Sequence, residues 1–250
     1  MSLEKLTIAQ NTYAASGVDS NVKSVNKFGR NPSIAIGVEE EIWDGSIAYT
    51  FPTDTSDITH VRSAVDSATT QGAVIEVQGL DTNWDLVTQT KALDGTDSTT
   101  EVLLDTPLIR VFRMKVLDAA VMDQDIWVGD DDFVVAAAKA IITAGNNQTL
   151  MAIYTVPAGF NAYMTSYYAH VNPGTNLDPT SMPIKVWAQD NANGYAPQLK
   201  HVVGQISGGF QHFFTPYQKF GEKTDIYITA QPVGKAADVT AGFDLILVNV

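Results

Sequence analysis

Residues 71–95, QGAVIEVQGLDTNWDLVTQTKALDG, alternate apolar and polar side chains on both sides of a polar turn. This period of two constrains the fold more than any other feature of the chain. Ala73, Ile75 and Val77 fall on one side of an extended backbone while Val74, Glu76 and Gln78 fall on the other, as in a half-buried strand. On the return, Leu86, Thr88, Thr90 and Ala92 oppose Val87, Gln89, Lys91 and Leu93, and Leu93-Asp94-Gly95 supplies a turn. A hairpin of this kind needs more sheet to cover its apolar face. The chain therefore reads as all-β, and the hairpin itself carries no catalytic constellation.

The same grammar recurs on both sides. Strand patterns are expected at residues 34–44, 46–51, 58–65, 100–104 and 109–117, and again at 149–156, 160–171, 184–189, 199–206, 210–214, 225–231 and 242–250. Turn signals every 8 to 12 residues or so mark a sandwich or barrel. Residues 133–144 (FVVAAAKAIITA) could form a helix, because alanine favours one. Ile141, Ile142 and Thr143 ahead of Gly145-Asn146-Asn147 favour a strand entering a hairpin. The terminal LILVNV is nearly continuous apolar, which predicts a central strand covered on both faces. Residues 1–33 are polar and end in FGRNPS, where Gly29, Asn31 and Pro32 favour turns. They read as an extended arm that a neighbouring subunit would order. The expected organisation is an arm at 1–33, a first antiparallel β-sandwich at 34–145 and a second at 146–250, both jelly-roll-like.

Charge narrows the partners. With 15 Lys and Arg against 28 Asp and Glu, the formal charge is −13. That balance argues against binding phosphate backbones, which takes clustered cations, and against adhesion to anionic membranes. The only basic stretch, Lys23, Lys27 and Arg30, reads as part of a solvated arm. Cysteine is absent, so packing and assembly must supply the stability that disulfides or thiolate metal sites would add. No run of about 18 apolar residues can span a bilayer, and MSLEKLTIAQ lacks a signal-peptide pattern. Synthesis in a cytoplasm, without export, is the expectation.

Chemistry-bearing groups are sparse. His60, His170, His201 and His212 lack metal-ligand spacing and read as partly exposed strand or loop residues. Asp123, Asp125, Asp130, Asp131 and Asp132 in MDQDIWVGDDD gather hard oxygen ligands, which makes them the candidate for a structural Ca²⁺ site. They depart from EF-hand spacing, and a solvated acidic loop is the competing reading. Glu39, Glu40 and Glu41 are consecutive, so a strand sends neighbours to opposite faces and makes no glycosidase pair. No nucleophile elbow, P-loop or dinucleotide fingerprint is present. Trp43, Trp84, Trp127 and Trp187 could form a sugar-stacking platform, with Trp84 at the hairpin tip the most exposed in expectation, or could fill the core or an interface. Catalytic residues and cofactors are not expected.

Four stretches in order, VNKFGRNPSI, EEEIWDG, EVQGLDTNWDLVTQTKALDG and LMAIYTVPAGFNAYMTS, resemble a family of virion structural proteins from tailed bacteriophages of marine and environmental samples. The resemblance implies a non-enzymatic, capsid-associated particle component made in the host cytoplasm. Its role would be decoration, cement or vertex, as a symmetric homo-oligomer in contact with other virion proteins such as the major capsid protein. The alternative is a neck, tail or host-adhesion component carrying a carbohydrate-binding sandwich.

Overall fold

The computed structural model of the chain describes residues 12–45, 48–52, 55, 57–131, 137–172, 181–205 and 208–250. After a helical turn at 12–16, the chain forms β1 (Val22–Ile34), β2 (Glu40–Glu41), β3 (Ile58–Ser63), β4 (Val74–Leu80), β5 (Leu86–Ala92), β6 (Val102–Leu108), β7 (Arg110–Val116), β8 (Ile126–Gly129) and β9 (Ala140–Ile142). There follow β10 (Ile153–Thr155), β11 (Phe160–Asn172), β12 (Met182–Asp190), β13 (Gln198–Gln205), β14 (Gly208–Phe220), β15 (Thr224–Ala230) and β16 (Ala237–Asn249). Of the described residues, 58% are in strand and 3% in helix, so the fold is all-β. All the pairings between these strands are antiparallel. No described helix is long and apolar enough to cross a membrane.

Two sheets are built mainly from the second half of the chain. One has the order β1-β16-β11-β14 and the other β10-β15-β12-β13, with β2 also on β15. Met164, Tyr167 and Phe243 of the first sheet and Val186, Ile226 and Ile228 of the second belong to one buried apolar cluster. The alternation in β16 buries Val239, Ala241, Phe243, Leu245 and Leu247, so each such residue removes its side chain from water on one face. The strand is central, between β1 and β11, as the apolar run predicts. Its other face is only half-buried.

The remaining strands make the sheets β6-β3-β8-β9 and β5-β4-β7 around a second cluster that includes Ile58, Val61, Ile75, Val77, Met114 and Ile126. The expected 71–95 hairpin forms, with its register running from Val74 opposite Ala92 to Leu80 opposite Leu86. β5 lies beside β6, where the Gln89 amide donates to the Thr106 carbonyl at 2.9 Å and accepts from the Thr106 N–H at 3.0 Å. β7 lies beside β9. The two sheets thus wrap toward each other along both sides.

Residues 35–152 leave β1 and return to β10 at one place. Ile42 N–H donates to the Ile228 carbonyl at 2.9 Å, Ala152 N–H donates to the Ile42 carbonyl at 2.8 Å, and Trp43 bridges Met151. The clusters also interleave in sequence: Leu80, Trp84 and Phe112 join the first, while Met151, Ile153 and Tyr227 join the second. A cut at 145–146 does not separate the buried residues.

The expected arm is the main correction. Residues 22–34 are β1, paired along β16 from Val22 opposite Val248 to Ile34 opposite Ala237, so the chain's own C-terminal strand orders them. Residues 1–11 lie outside the described ones. The turn-forming residues of FGRNPS serve a strand. Gly29 passes so close to other backbone that a Cβ there would lie 2.3 Å from the Ile42 oxygen and 2.5 Å from the Ala152 nitrogen. Pro32 sits where the register shifts between Asn31 and Ile34, at a bulge that tolerates its missing N–H. The strand expected across 34–44 shrinks to the end of β1 and to β2. Of residues 133–144, Ala140–Ile142 form β9, and 133–136 lie outside the described residues.

Candidate functional site

The acidic stretch at 123–132 is divided by β8, whose Ile126 and Val128 are buried while the flanking aspartates are not. Asp123 accepts the Ser67 hydroxyl at 2.6 Å and Asp125 accepts the Ala144 N–H at 2.8 Å. Asp130 and Asp131 follow on the exposed side, and Asp132 lies outside the described residues. No group of three or more His, Asp or Glu suited to a metal ion occurs among the described residues.

The three consecutive glutamates have separate partners. Glu39 accepts Lys185 Nζ at 2.5 Å, Thr229 Oγ1 at 2.6 Å and Trp187 Nε1 at 3.0 Å. Burial opposes its ionisation, but these three donors prevail and hold its carboxyl below the usual range. Glu40 accepts Asn31 Nδ2 at 3.0 Å. Glu41 accepts the Tyr49 N–H at 2.9 Å, and burial pushes its carboxyl up. The run stitches β1, β2, β12 and β15 together.

Trp84 is a second correction, because the expected exposed platform is 7% exposed. Its backbone takes a positive φ of 65°, and Asp81 Oδ1 accepts the N–H groups of Asn83 and Asp85 at 2.8 and 3.0 Å. This tight tip folds the indole inward, where the Arg110 guanidinium lies 4.9 Å from its ring. Arg110 in turn makes a two-toothed pair with Asp225, at 2.9 and 3.0 Å, and donates to the Pro52 and Ile109 carbonyls. Thr155 and Asn191 donate to the same carboxylate at 2.6 and 2.8 Å. Arg110 is on β7 and Asp225 on β15, so this buried pair joins the two pairs of sheets. Trp43 is also buried, packed edge-on against Tyr49.

The basic stretch expected in a solvated arm is split. Arg30 pairs with Asp238 at 2.8 Å on the surface. Lys23 lies over the Phe160 ring at 4.9 Å. Lys27 is buried, donates from Nζ to the Phe112 carbonyl and has its amine lowered to about 7, first by burial and then by the charge of Arg113.

The histidines are not uniformly scattered. His201 on β13 and His212 on β14 stack with centroids 4.3 Å apart, and the Tyr167 hydroxyl lies 2.6 Å from His201 Nδ1. Phe210 and Phe214 close around Tyr167 at 5.3 and 5.9 Å. Burial and the neighbouring His212 lower the His201 pKa. β13 and β14 are end strands of different sheets, so these aromatic and imidazole rings fill the mouth between the sheets. Outside them Leu199, Val202 and Phe213 are exposed, Phe213 by 65%. Period-two phase puts His201 and His212 on inward positions, but only the sheet order brings them together. This edge is the best candidate for contact with a partner: two strands whose outer backbone groups lack a strand neighbour among the described residues, flanked by apolar side chains.

No protein-family model matches the chain, and no curated protein is similar to it in sequence.

Proposed function

We propose that the protein is a non-enzymatic structural component of a tailed-phage virion, associated with the capsid as a decoration, cement or vertex protein and acting through repeated subunit interfaces. One observation carries the reading. The eight strands β1 and β10–β16 fall in two facing sheets ordered β1-β16-β11-β14 and β10-β15-β12-β13. Labelled B to I in chain order, they spell B-I-D-G and C-H-E-F, the strand order of a jelly roll, an architecture recurrent in viral shells and in lectins. Residues 35–152 are then an insertion between its first two strands, making a second β unit on one platform. Architecture alone assigns no function. The reading also draws on the four ordered motifs and on the open β13–β14 edge. The burial of Trp43 and Trp84 removes two of the four tryptophans from a glycan-stacking surface and favours shell over adhesion.

Quantitative mass spectrometry and antibody labelling of purified particles test the proposal. A fixed copy number per particle at symmetry-related positions is expected. Recovery of the protein only in the soluble lysate, with complete particles lacking it, would overturn it.

A further inference from the structure

Charge is distributed unevenly between the two parts of the chain. Residues 35–150 carry 20 Asp and Glu against 6 Lys and Arg, a net of −14. All the other residues together carry 8 against 9, a net of +1. The inserted β unit therefore holds the whole acidic excess. It presents Asp85, Asp97, Asp105, Asp118, Asp123 and Asp130 on its exposed surface.

Away from β1, where Lys27 is buried and Arg30 is paired with Asp238, a long carboxylate-free stretch lies at the β13–β14 edge. Residues 191–221 contain no Asp or Glu, and Lys200 and Lys219 give them a net charge of +2. From Gly208 to Gln218, β14 has no Asp, Glu, Lys or Arg at all. Exposed strand edges are ordinarily guarded by charged side chains that discourage pairing. Along Gly208–Gln218 charged side chains are absent and Pro216 and a bulge are what interrupt the edge, while Leu199, Val202 and Phe213 are exposed beside it.

We propose that copies of this chain associate head to tail, the β13–β14 edge of one subunit seated on the acidic inserted unit of the next. The proposal rests on the reading of the protein as an assembling subunit and names the surface that does the assembling. Charge selects the occupant. Two inserted units repel each other, and two β13–β14 edges bring like charges together. Only the unlike pair attracts, and an unlike pair is a heterologous contact that closes into a ring or propagates. Long-range attraction brings the surfaces together, and the apolar side chains of the edge then lose water.

Sedimentation velocity of the full chain at low and high salt provides the test. The association constant is expected to fall by about tenfold or more between 0.05 and 0.5 M NaCl, as surface charges become screened. The double variant Lys200→Glu/Lys219→Glu, and separately Phe213→Asp, are expected to weaken association by about tenfold or more, with circular dichroism and melting unchanged. Phe213→Asp chains still offer an intact acidic unit, so when mixed with wild type they are expected to cap and shorten its assemblies. A monomer at every salt concentration, association indifferent to salt, or variants that assemble like wild type would each overturn the head-to-tail contact. Particle incorporation separates the two readings. If the variants enter particles at wild-type copy number, this interface falls and the virion role stands; if wild-type protein is absent from particles, the virion role falls.

Discussion

Lys27 shows how one residue sets a pH dependence. Its amine is buried between β1 and the backbone of β7, where a charge loses hydration and gains the Phe112 carbonyl and ring in return. The folded amine titrates at about 7, against 10.5 for an ordinary lysine. Between those values the unfolded chain holds a proton that the folded chain has released, so stability rises with pH across that interval and is flat below it. Lys27→Met removes the ionisable group and keeps most of the volume, at the expense of the Phe112 carbonyl's partner. The variant is expected to be more stable than wild type at pH 7 by about 1–3 kcal/mol and to lose the upward slope toward pH 9.5. Urea denaturation at both pH values checks this, and an unchanged slope would count against a buried amine. Gly29, two residues on in β1, shows the complementary constraint of space. The sequence offers it as a turn residue, whereas tertiary contact requires it for lack of a side chain.

At the scale of elements, β13 and β14 act as a pair although they belong to different sheets. Their contact runs through His201 and His212, with Tyr167 of β11 beneath, and burial followed by the charge of His212 lowers the His201 pKa. Because His201 sits below its ordinary 6.5 when folded, the unfolded chain takes up protons first as pH falls through that value. Stability contributed at this edge is full above 6.5 and declines below it. Hydrogen exchange of β13 and β14 amides, corrected for intrinsic rate, is expected to accelerate between pH 7.5 and pH 5, while β4 and β5 stay protected. The double variant His201→Phe/His212→Phe is expected to remove the acceleration. Equal protection at both pH values in wild type would show that the rings do not control the edge.

At the scale of the molecule, the two pairs of sheets are locked by the Arg110–Asp225 pair, in which the side chains are 4% and 1% exposed. Most contacts around it come from other strands and turns: Thr155 and Asn191 on the carboxylate, Trp84 and the Pro52 carbonyl against the guanidinium, with the adjacent Ile109 carbonyl the local one. Breaking one side leaves a buried charge without its counterion. Arg110→Met is expected to lower stability by about 3–5 kcal/mol and to split a single calorimetric transition into two. Arg110→Met/Asp225→Asn should recover part of that loss. A single variant that still unfolds in one unshifted transition would show that the pair is not the lock. The acidic excess of residues 35–150 belongs to this scale as well, since it becomes a surface only once the inserted unit has folded.

Period-two alternation determined the strand class and, in the 71–95 hairpin, the register and buried face, because adjacent strands joined by a short turn carry their pairing information locally. The carboxylate-free run at 191–221 and the charge excess at 35–150 were equally present in the sequence. Three things were decided only in three dimensions. β1 joins a sheet because β16, over 200 residues away, supplies its hydrogen bonds. Trp84 turns inward because Arg110 and the opposite sheets give its ring a place, and His201 meets His212 because two sheets end side by side. Each depends on which distant strands become neighbours. Alternation along one strand carries no information about that choice; cooperative burial of both faces settles it.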